Sequence, residues 1–554
     1  MMKTTMLHPE DGARTGDGYD FTGVIEQAAA ALGGSGELRF AAGTYHFFPQ
    51  KSAPRALYIS NTDCAAWPEK RCGVYLEGCR GLTLAGEGAA FVFHGPLTAL
   101  AFVDCSDLHI SGIAVDYHCP STVDLTVMDV SDDKTVVTVT YPAVYTCEAA
   151  AGGVLFRGDV DPYTGELLFS LHTAGEGIAV QRFEAHSGMV YRINSNPFST
   201  CVAVETDVPG RVTMRYSQGR DVGVGDCFQL RNTKRDGCGI FAQRCRNLTF
   251  ADLRIGYLYA FGVMAQCCEN VSFEAVRFRA EQPGRMTASA ADMIQCVNCS
   301  GAVQICHCDF HNPHDDPINI HGVFLRLEEL RGARAVLRFM HHQTFGYPCI
   351  FPGDEIQFYD SASLLPAGEP LRVLAAEGPD DADRYRIAVT LASAPALPPG
   401  AVYAAENVTR IPDVTIAHNR FVQIPTRGLL VSANRRVVVR DNLFSHIHMS
   451  AIYISGDATG WYESGPVRDV VIAGNVFEDC NRAVLVEPTN TVFVEETVHH
   501  NIRIEGNAMR NVPFPPISVK SSDGVVICGN TVQGIGELVE NIHSKIILDV
   551  ANNT

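Results

Sequence analysis

The sequence predicts an all-β chain: a right-handed parallel β-helix, a solenoid of stacked coils, carrying two inserted small β-barrel or sandwich domains and an N-terminal capping helix. Three observations predict it. Short strand-like phrases with an Asn two positions from the end recur through the C-terminal third. The same grammar returns upstream, and two long stretches interrupt it with hairpin-like alternation.

The recurring phrases are VTIAHNRF (414–421), VVVRDNLF (437–444), VVIAGNVF (470–477), IRIEGNAM (502–509) and VVICGNTV (525–532). Their asparagines, Asn419, Asn442, Asn475, Asn507 and Asn530, are separated by 23, 33, 32 and 23 residues, a basal period of 23 with occasional loops of nine or ten. That is the length of one parallel β-helix coil, each stacking on the next at ~4.8 Å. Asn tolerates the left-handed conformations that bend a chain between faces, which gives it an expected place in the turns. A leucine-rich repeat would show LxxLxLxxN, which is missing here.

Upstream, LTFADLRI (248–255), VSFEAVRF (271–278) and VQICHCDF (303–310) repeat the pattern, and LTLAGEGA and LHISGIAV do so more faintly before residue 116. Residues 18–45, GYDFTGVIEQAAAALGGSGELRFAAGTY, read as a capped amphipathic helix, a glycine turn, a strand and a second turn. Such a helix would cover the open end of the solenoid. Residues 119–235 and 323–410 instead carry alternating strands such as VDLTVMDVSDDKTVVTVTY and YRIAVTL. A shared phrase, GDCFQL at 225–230 and GDEIQF at 353–358, suggests two insertions of one type. The expected organisation is cap and first coils (1–118), insertion (119–235), coils (236–322), insertion (323–410) and final coils (411–554).

Composition limits the function. Of 554 residues, 46% are hydrophobic and 19% charged, and no run approaches the ~18 apolar residues of a membrane helix. Asp and Glu number 62 against 43 Lys and Arg, a net charge of −19, so nucleic acid is an unsuited partner. The N-terminal stretch MMKTTMLHPEDGARTGDGYDFTG lacks the apolar core of a secretory leader, which sets the expectation of a cytoplasmic protein, with export after trimming as the alternative. Nineteen cysteines scattered through hydrophobic repeats read as buried reduced thiols.

Chemistry concentrates in HNPHDDPINIHG (311–322). Asp292, in GRMTASAADMIQCVNCSG, precedes Asp315 by 23 residues, one basal coil. Phe278 and Phe310 lie 32 apart, nine more than a coil, and the EQPGRMTAS loop (281–289) accounts for the excess. Asp292 is therefore expected to stack under Asp315, with Asp316 alongside. On a regular strand one member of an Asp-Asp pair would turn inward. Pro317 points instead to an irregular turn that lets both face a groove. Crowded carboxylates hold one proton at a raised pKa while the others stay charged, the acid and base that inverting glycoside hydrolysis needs. An isolated acidic pair is more often a solvated turn, and His307, Asp309, His311, His314 and His321 crowd the same region as a candidate cation site, with spacings that match no defined metal motif.

Sugar recognition usually adds aromatic platforms and charge-assisted hydrogen bonds. GDATGWYESGP (456–466) carries Trp461 beside Tyr462 and Glu463, and Trp461 serves equally as a loop anchor. Arg285 and Arg427 are candidate hydroxyl ligands or surface ion pairs. With His314, Asn319 and His321 from the aspartate segment, these residues form the expected substrate-binding set.

At GRMTASAADMIQCVNCSG, HDDPINIHG and WYESGPVRDVVIAGNVF, and in the order of parts from the N-terminal helix through two β-rich insertions, the sequence resembles glycoside hydrolase family 110, inverting α-galactosidases that remove terminal α-1,3-linked galactose, including that of the blood-group-B type. The resemblance spans most of the chain. It implies Asp292, Asp315 and Asp316 as catalytic residues, a parallel β-helix, no cofactor, a galactose-terminated glycan as partner and often a homodimer. By analogy with the aspartate trio of polygalacturonases, Asp315 is the expected general acid, with Asp292 and Asp316 handling the water. The polygalacturonase motifs Asn-Thr-Asp and Gly-Asp-Asp are replaced by Ala-Ala-Asp and His-Asp-Asp, and no downstream Arg-Ile-Lys follows. A polygalacturonase-like hydrolase, a lyase and a non-catalytic glycan-binding β-helix are the rival readings.

Overall fold

The computed structural model describes residues 3–15, 18–534 and 536–548. Met1 and Met2, which open the stretch read for a leader, lie outside the described residues. The chain winds as a parallel β-helix with three faces. On one, Leu248 pairs with Val271, Val271 with Val303, Val303 with Val414 and Val414 with Val437, all in parallel. On a second, Phe278, Phe310, Phe421, Phe444 and Phe477 stack with ring centroids 4.6–5.2 Å apart, the rise of one coil. The third is a twelve-stranded sheet running from Val539–Ile542 down to Pro54–Ala56. Alternate apolar side chains point inward from every face into one continuous core. Among the described residues no helix is long and apolar enough to cross a membrane.

The asparagines act differently from expectation. The left-handed residues are those immediately before them, His418, Asp441, Gly474, Gly506 and Gly529. The asparagines themselves are buried and hydrogen-bonded in a ladder. Each Nδ2 donates to the Oδ1 one coil on, at 3.0, 2.9, 3.0 and 2.9 Å from Asn419 to Asn530. Each also satisfies backbone groups of adjacent coils, as Asn475 does with Val439 O and Asn442 N. A buried turn has no water to satisfy its peptides, and the amide, both donor and acceptor, replaces it. Asn475→Ala strands several of these groups at once and is expected to cost at least about 3 kcal/mol, read as a lowered midpoint in urea unfolding with an unchanged slope.

In the earlier coils cysteine takes an analogous place: Cys105, Cys245, Cys268 and Cys299 each donate Sγ–H to a carbonyl one coil below, at 3.3–3.5 Å. All nineteen cysteines are free, and most are buried.

The N-terminal helix, Val24–Ala31, buries Ile25 and Ala29 in the core, and Glu26 accepts the Tyr75 N–H at the first coil's edge. It is not capped by a side chain: Gly23, at φ +85°, occupies the N-cap position. The two insertions leave the winding undisturbed. Asp107 and Asn247 are 140 residues apart yet hydrogen-bonded across neighbouring coils, and Cys308 and Asn419, 111 apart, are likewise joined. The first insertion is a seven-stranded antiparallel sheet (Thr122–Val130 to Cys227–Asn232) with a three-stranded companion, sharing a core of Val123, Leu125, Phe156 and Leu171. The second closes into a six-stranded barrel, Leu325–Arg331 to Tyr403–Asn407. Their shared phrase has a shared purpose, since Asp226 and Asp354 each accept a backbone N–H three residues back and a guanidinium, from Arg182 and Arg410.

Candidate active site

The register of the third face corrects one expectation. Ser289 bridges to Pro313 and Ile294 pairs with Ile318, both one coil and 24 residues on, so Asp292 is level with Asp316 and not with Asp315. The extra residue is a β-bulge: Glu269 pairs with Ser300 but Val271 with Val303, and Gly301 takes up the slack at φ +67°. The next coil brings Arg427 beside Asp316, giving the column Asp292, Asp316, Arg427.

Between Asn312 and Pro317 the chain leaves the strand, with Asn312 at φ +50° and no ladder partner at Asp315 or Asp316. Both carboxylates consequently line one pocket with Asp292, while His314 turns the other way. The first insertion grips this turn. Gln181 Nε2 donates to Pro313 O at 3.0 Å, Arg192 Nε to His314 O at 3.2 Å, and Arg231 Nε to His314 Nδ1 at 3.1 Å. It also fixes the 281–289 loop, because Asp124 accepts the N–H groups of Met286 and Thr287 and the Thr287 hydroxyl.

The three aspartates have distinct surroundings. Asp315 Oδ2 is 2.8 Å from Arg192 and 3.0 Å from Arg235. Burial alone would raise its pKa, but Arg192, Arg235 and Arg427 together hold it below the ordinary carboxylate range. Asp316 is gripped by Arg427 through Nη2 at 2.7 Å and Nε at 2.8 Å. Burial nevertheless raises its pKa, with Asp315 adding to the rise. Asp292, 5% exposed, has no side-chain hydrogen bond among the described residues, and burial followed by Asp315 and Asp316 raises it well above the usual range. A carboxyl with no ion pair of its own among the described residues, beside two that have one, is where a shared proton is favoured. The surroundings thus favour the proton on Asp292 and the charge on Asp315.

The cavity is about 280 Å³, near the low end for small-molecule sites. Asn319, Arg427, Trp461 and Glu463 line it. Glu463 is held by Asn61 Nδ2 at 3.2 Å and Asn319 Nδ2 at 3.3 Å. Trp461 stays 43% exposed, its ring 4.3 Å from that of His341. Asp457 orients this loop by accepting the N–H groups of Thr459, Gly460 and Trp461, and the second insertion anchors it through the Ser464 hydroxyl donating to Glu406 at 2.5 Å.

Three expected ligands do not line the pocket. Arg285 is buried against Asp116, at 2.7 and 2.9 Å, and ties the 281–289 loop to the solenoid. His314 is buried behind the aspartates, where burial and then Arg231 hold its pKa far down. His321 backs Glu463 at 3.6 Å and donates Nδ1–H to Gly322 O. The five residues weighed as a cation site disperse: His307 stacks on His418, His311 pairs with Asp309, and His314 and His321 stand as described. Arg192, Arg235 and Asn61 were missed. They arrive from an insertion, its exit and the N-terminal segment, which no spacing in the sequence connects to the aspartates. Asp457 had a legible signal in the Asp-x-Thr-Gly turn.

Residues 334–381 match the family model described as GLAA-B beta-barrel domain II. The chain is 33% identical over 549 residues to α-1,3-galactosidase A of Peterkaempfera griseoplana, covering 93% of this chain and 75% of that protein. It is 34% identical over 513 residues to α-1,3-galactosidase A of Streptomyces avermitilis, covering 89% and 81%. With α-1,3-galactosidase B of Parabacteroides distasonis it shares 26% over 510 residues, covering 89% and 81%.

Proposed function

Because the chain belongs to glycoside hydrolase family 110, the α-1,3-galactosidase family, we propose that it hydrolyses terminal α-1,3-linked galactose from glycans in exo fashion, with inversion, through Asp292, Asp315 and Asp316. The observation that carries this reading is the asymmetry of the trio: Asp315 is paired with Arg192 and Arg235, whereas buried Asp292 has no ion pair among the described residues, so its pKa is raised and that of Asp315 lowered. Surroundings that push neighbouring carboxyl pKa values apart let an acid and a base coexist near neutrality. Asp292 and Asp315 differ by one coil rise of ~4.8 Å and a residue along the chain. A small pocket in place of a long groove supports removal of single terminal sugars.

Arg192, Arg235 and Arg427 are each paired with an aspartate, so the pocket's positive charge is already engaged and a uronate carboxylate gains little from it. For Asp315 to protonate the leaving oxygen, it must first take the proton resting on Asp292, across a water or a substrate hydroxyl.

A proton-NMR time course on Galα1-3Gal is expected to show β-galactose first, followed by slow mutarotation. Early α-galactose would end the inverting assignment, and an unsaturated product absorbing in the near ultraviolet would replace hydrolysis by elimination.

A further inference from the structure

The mechanism uses none of a second cluster of metal-binding side chains, which lies where the first insertion leaves the solenoid. Phe47, Phe93 and Tyr117 are register partners on successive coils. Each has a histidine next to it, His46, His94 and His118, and these rings lie tilted against one another, with centroids 5.2 Å apart from His46 to His94 and again from His94 to His118. Over this ladder the insertion places Asp159, whose Oδ2 is 3.0 Å from His94 Nδ1 and Oδ1 2.5 Å from His118 Nδ1. Cys119 Sγ lies 3.4 Å from the same Oδ1.

We propose that His94 Nδ1, His118 Nδ1 and the Asp159 carboxylate bind a divalent transition metal of the zinc class, which cross-links the first insertion to the solenoid. The donor set is one zinc favours, imidazole and carboxylate, and the three ligand atoms lie within 4.8 Å of one another. Bonds of ~2.0–2.1 Å in a tetrahedron put ligand atoms roughly 3.3 Å apart, so the carboxylate has to open by a few tenths of an ångström from His94, now at 3.0 Å, and by somewhat under an ångström from His118, now at 2.5 Å. The outer shell is also built. His46 Nδ1 lies 3.0 Å from His94 Nε2 and can accept its N–H, fixing the tautomer that leaves Nδ1 free for a metal. The His118 side chain is 46% exposed, which leaves the cluster accessible to solvent. The cross-link would steady the insertion that holds the aspartate turn through Gln181, Arg192 and Arg231.

The test uses the full chain after chelator treatment, titrated with Zn²⁺ against a chromophoric competitor, and with Co²⁺ read by its visible absorption. Wild type is expected to take up one equivalent and to unfold at a higher temperature when loaded, with cobalt giving the intense bands of a tetrahedral site. His118→Gln and Asp159→Asn should each lose more affinity than the ~10–100-fold expected of the outer-shell change His46→Leu. His418→Gln, in the His307–His418 stack, should bind as wild type does. Absence of binding at micromolar Zn²⁺, or equal binding by wild type and His118→Gln, overturns the proposal. Galactoside turnover is expected to survive in His118→Gln, since none of these residues lines the pocket, so failure here is distinct from failure of the hydrolase assignment.

Discussion

Asp315→Asn is expected to reduce kcat on Galα1-3Gal by roughly 10²–10⁴-fold while sparing much of the activity on an aryl α-galactoside whose leaving group needs no proton. Asparagine retains the shape and the contacts to Arg192 and Arg235 but can neither carry nor relay a proton. Equal losses on both substrates would transfer the donor role to Asp292. The pH profile separates the two further. The surroundings raise the Asp292 pKa and lower that of Asp315, so kcat/KM should fall in acid as Asp315 gains a proton and fall in alkali as Asp292 loses one. The constants so measured belong to the coupled cluster and not to either residue. Asp292→Asn, assayed through its residual turnover of Galα1-3Gal, should abolish the alkaline limb. Survival of that limb would remove Asp292 as the proton holder.

Arg427→Met should damage both stability and turnover. Asp316 is 1% exposed and its strongest partner is this guanidinium. Removing one member of a buried pair leaves the other charge uncompensated, and with Arg427 itself 30% exposed the cost is placed near the low end of such losses, about 3 kcal/mol. Burial already raises the Asp316 pKa, and loss of Arg427 raises it further. A carboxyl whose folded pKa exceeds its unfolded value contributes most stability below the unfolded value and loses it as pH rises through the folded one. The melting deficit of the variant should therefore widen from acid toward neutral pH. Arg427→Lys should recover charge but not the two-pronged contact, and so only part of the loss. A deficit independent of pH would show that Arg427 acts by packing and not through Asp316.

How much was legible follows from what each feature depends on. The coils could be read because a β-helix repeats its inward positions at a fixed interval, so Val414, Val437 and Val470 declare themselves by spacing, as do the phenylalanines. The aspartate cluster was legible for the same reason, but only to within one residue. The bulge at Gly301 shifts the register by one, and a glycine within a strand phrase does not announce whether it bulges. The histidines misled because adjacent residues on a turn diverge: His314 and Asp315 are neighbours in sequence and point to opposite sides. Arg285 misled because the loop that carries it folds back onto Asp116.

The sequence by itself determined the winding, the positions where it is interrupted and the three acidic side chains that successive coils bring together, because all of these follow from local periodicity and the uniform coil rise. Only the tertiary structure decided which aspartate rests protonated. That depends on where Arg192, Arg235 and Arg427 come to lie, and the first two reach the pocket by way of an insertion whose docking is set by packing across the solenoid. Electrostatic energies vary with distance in space, and the chain records distance only along itself.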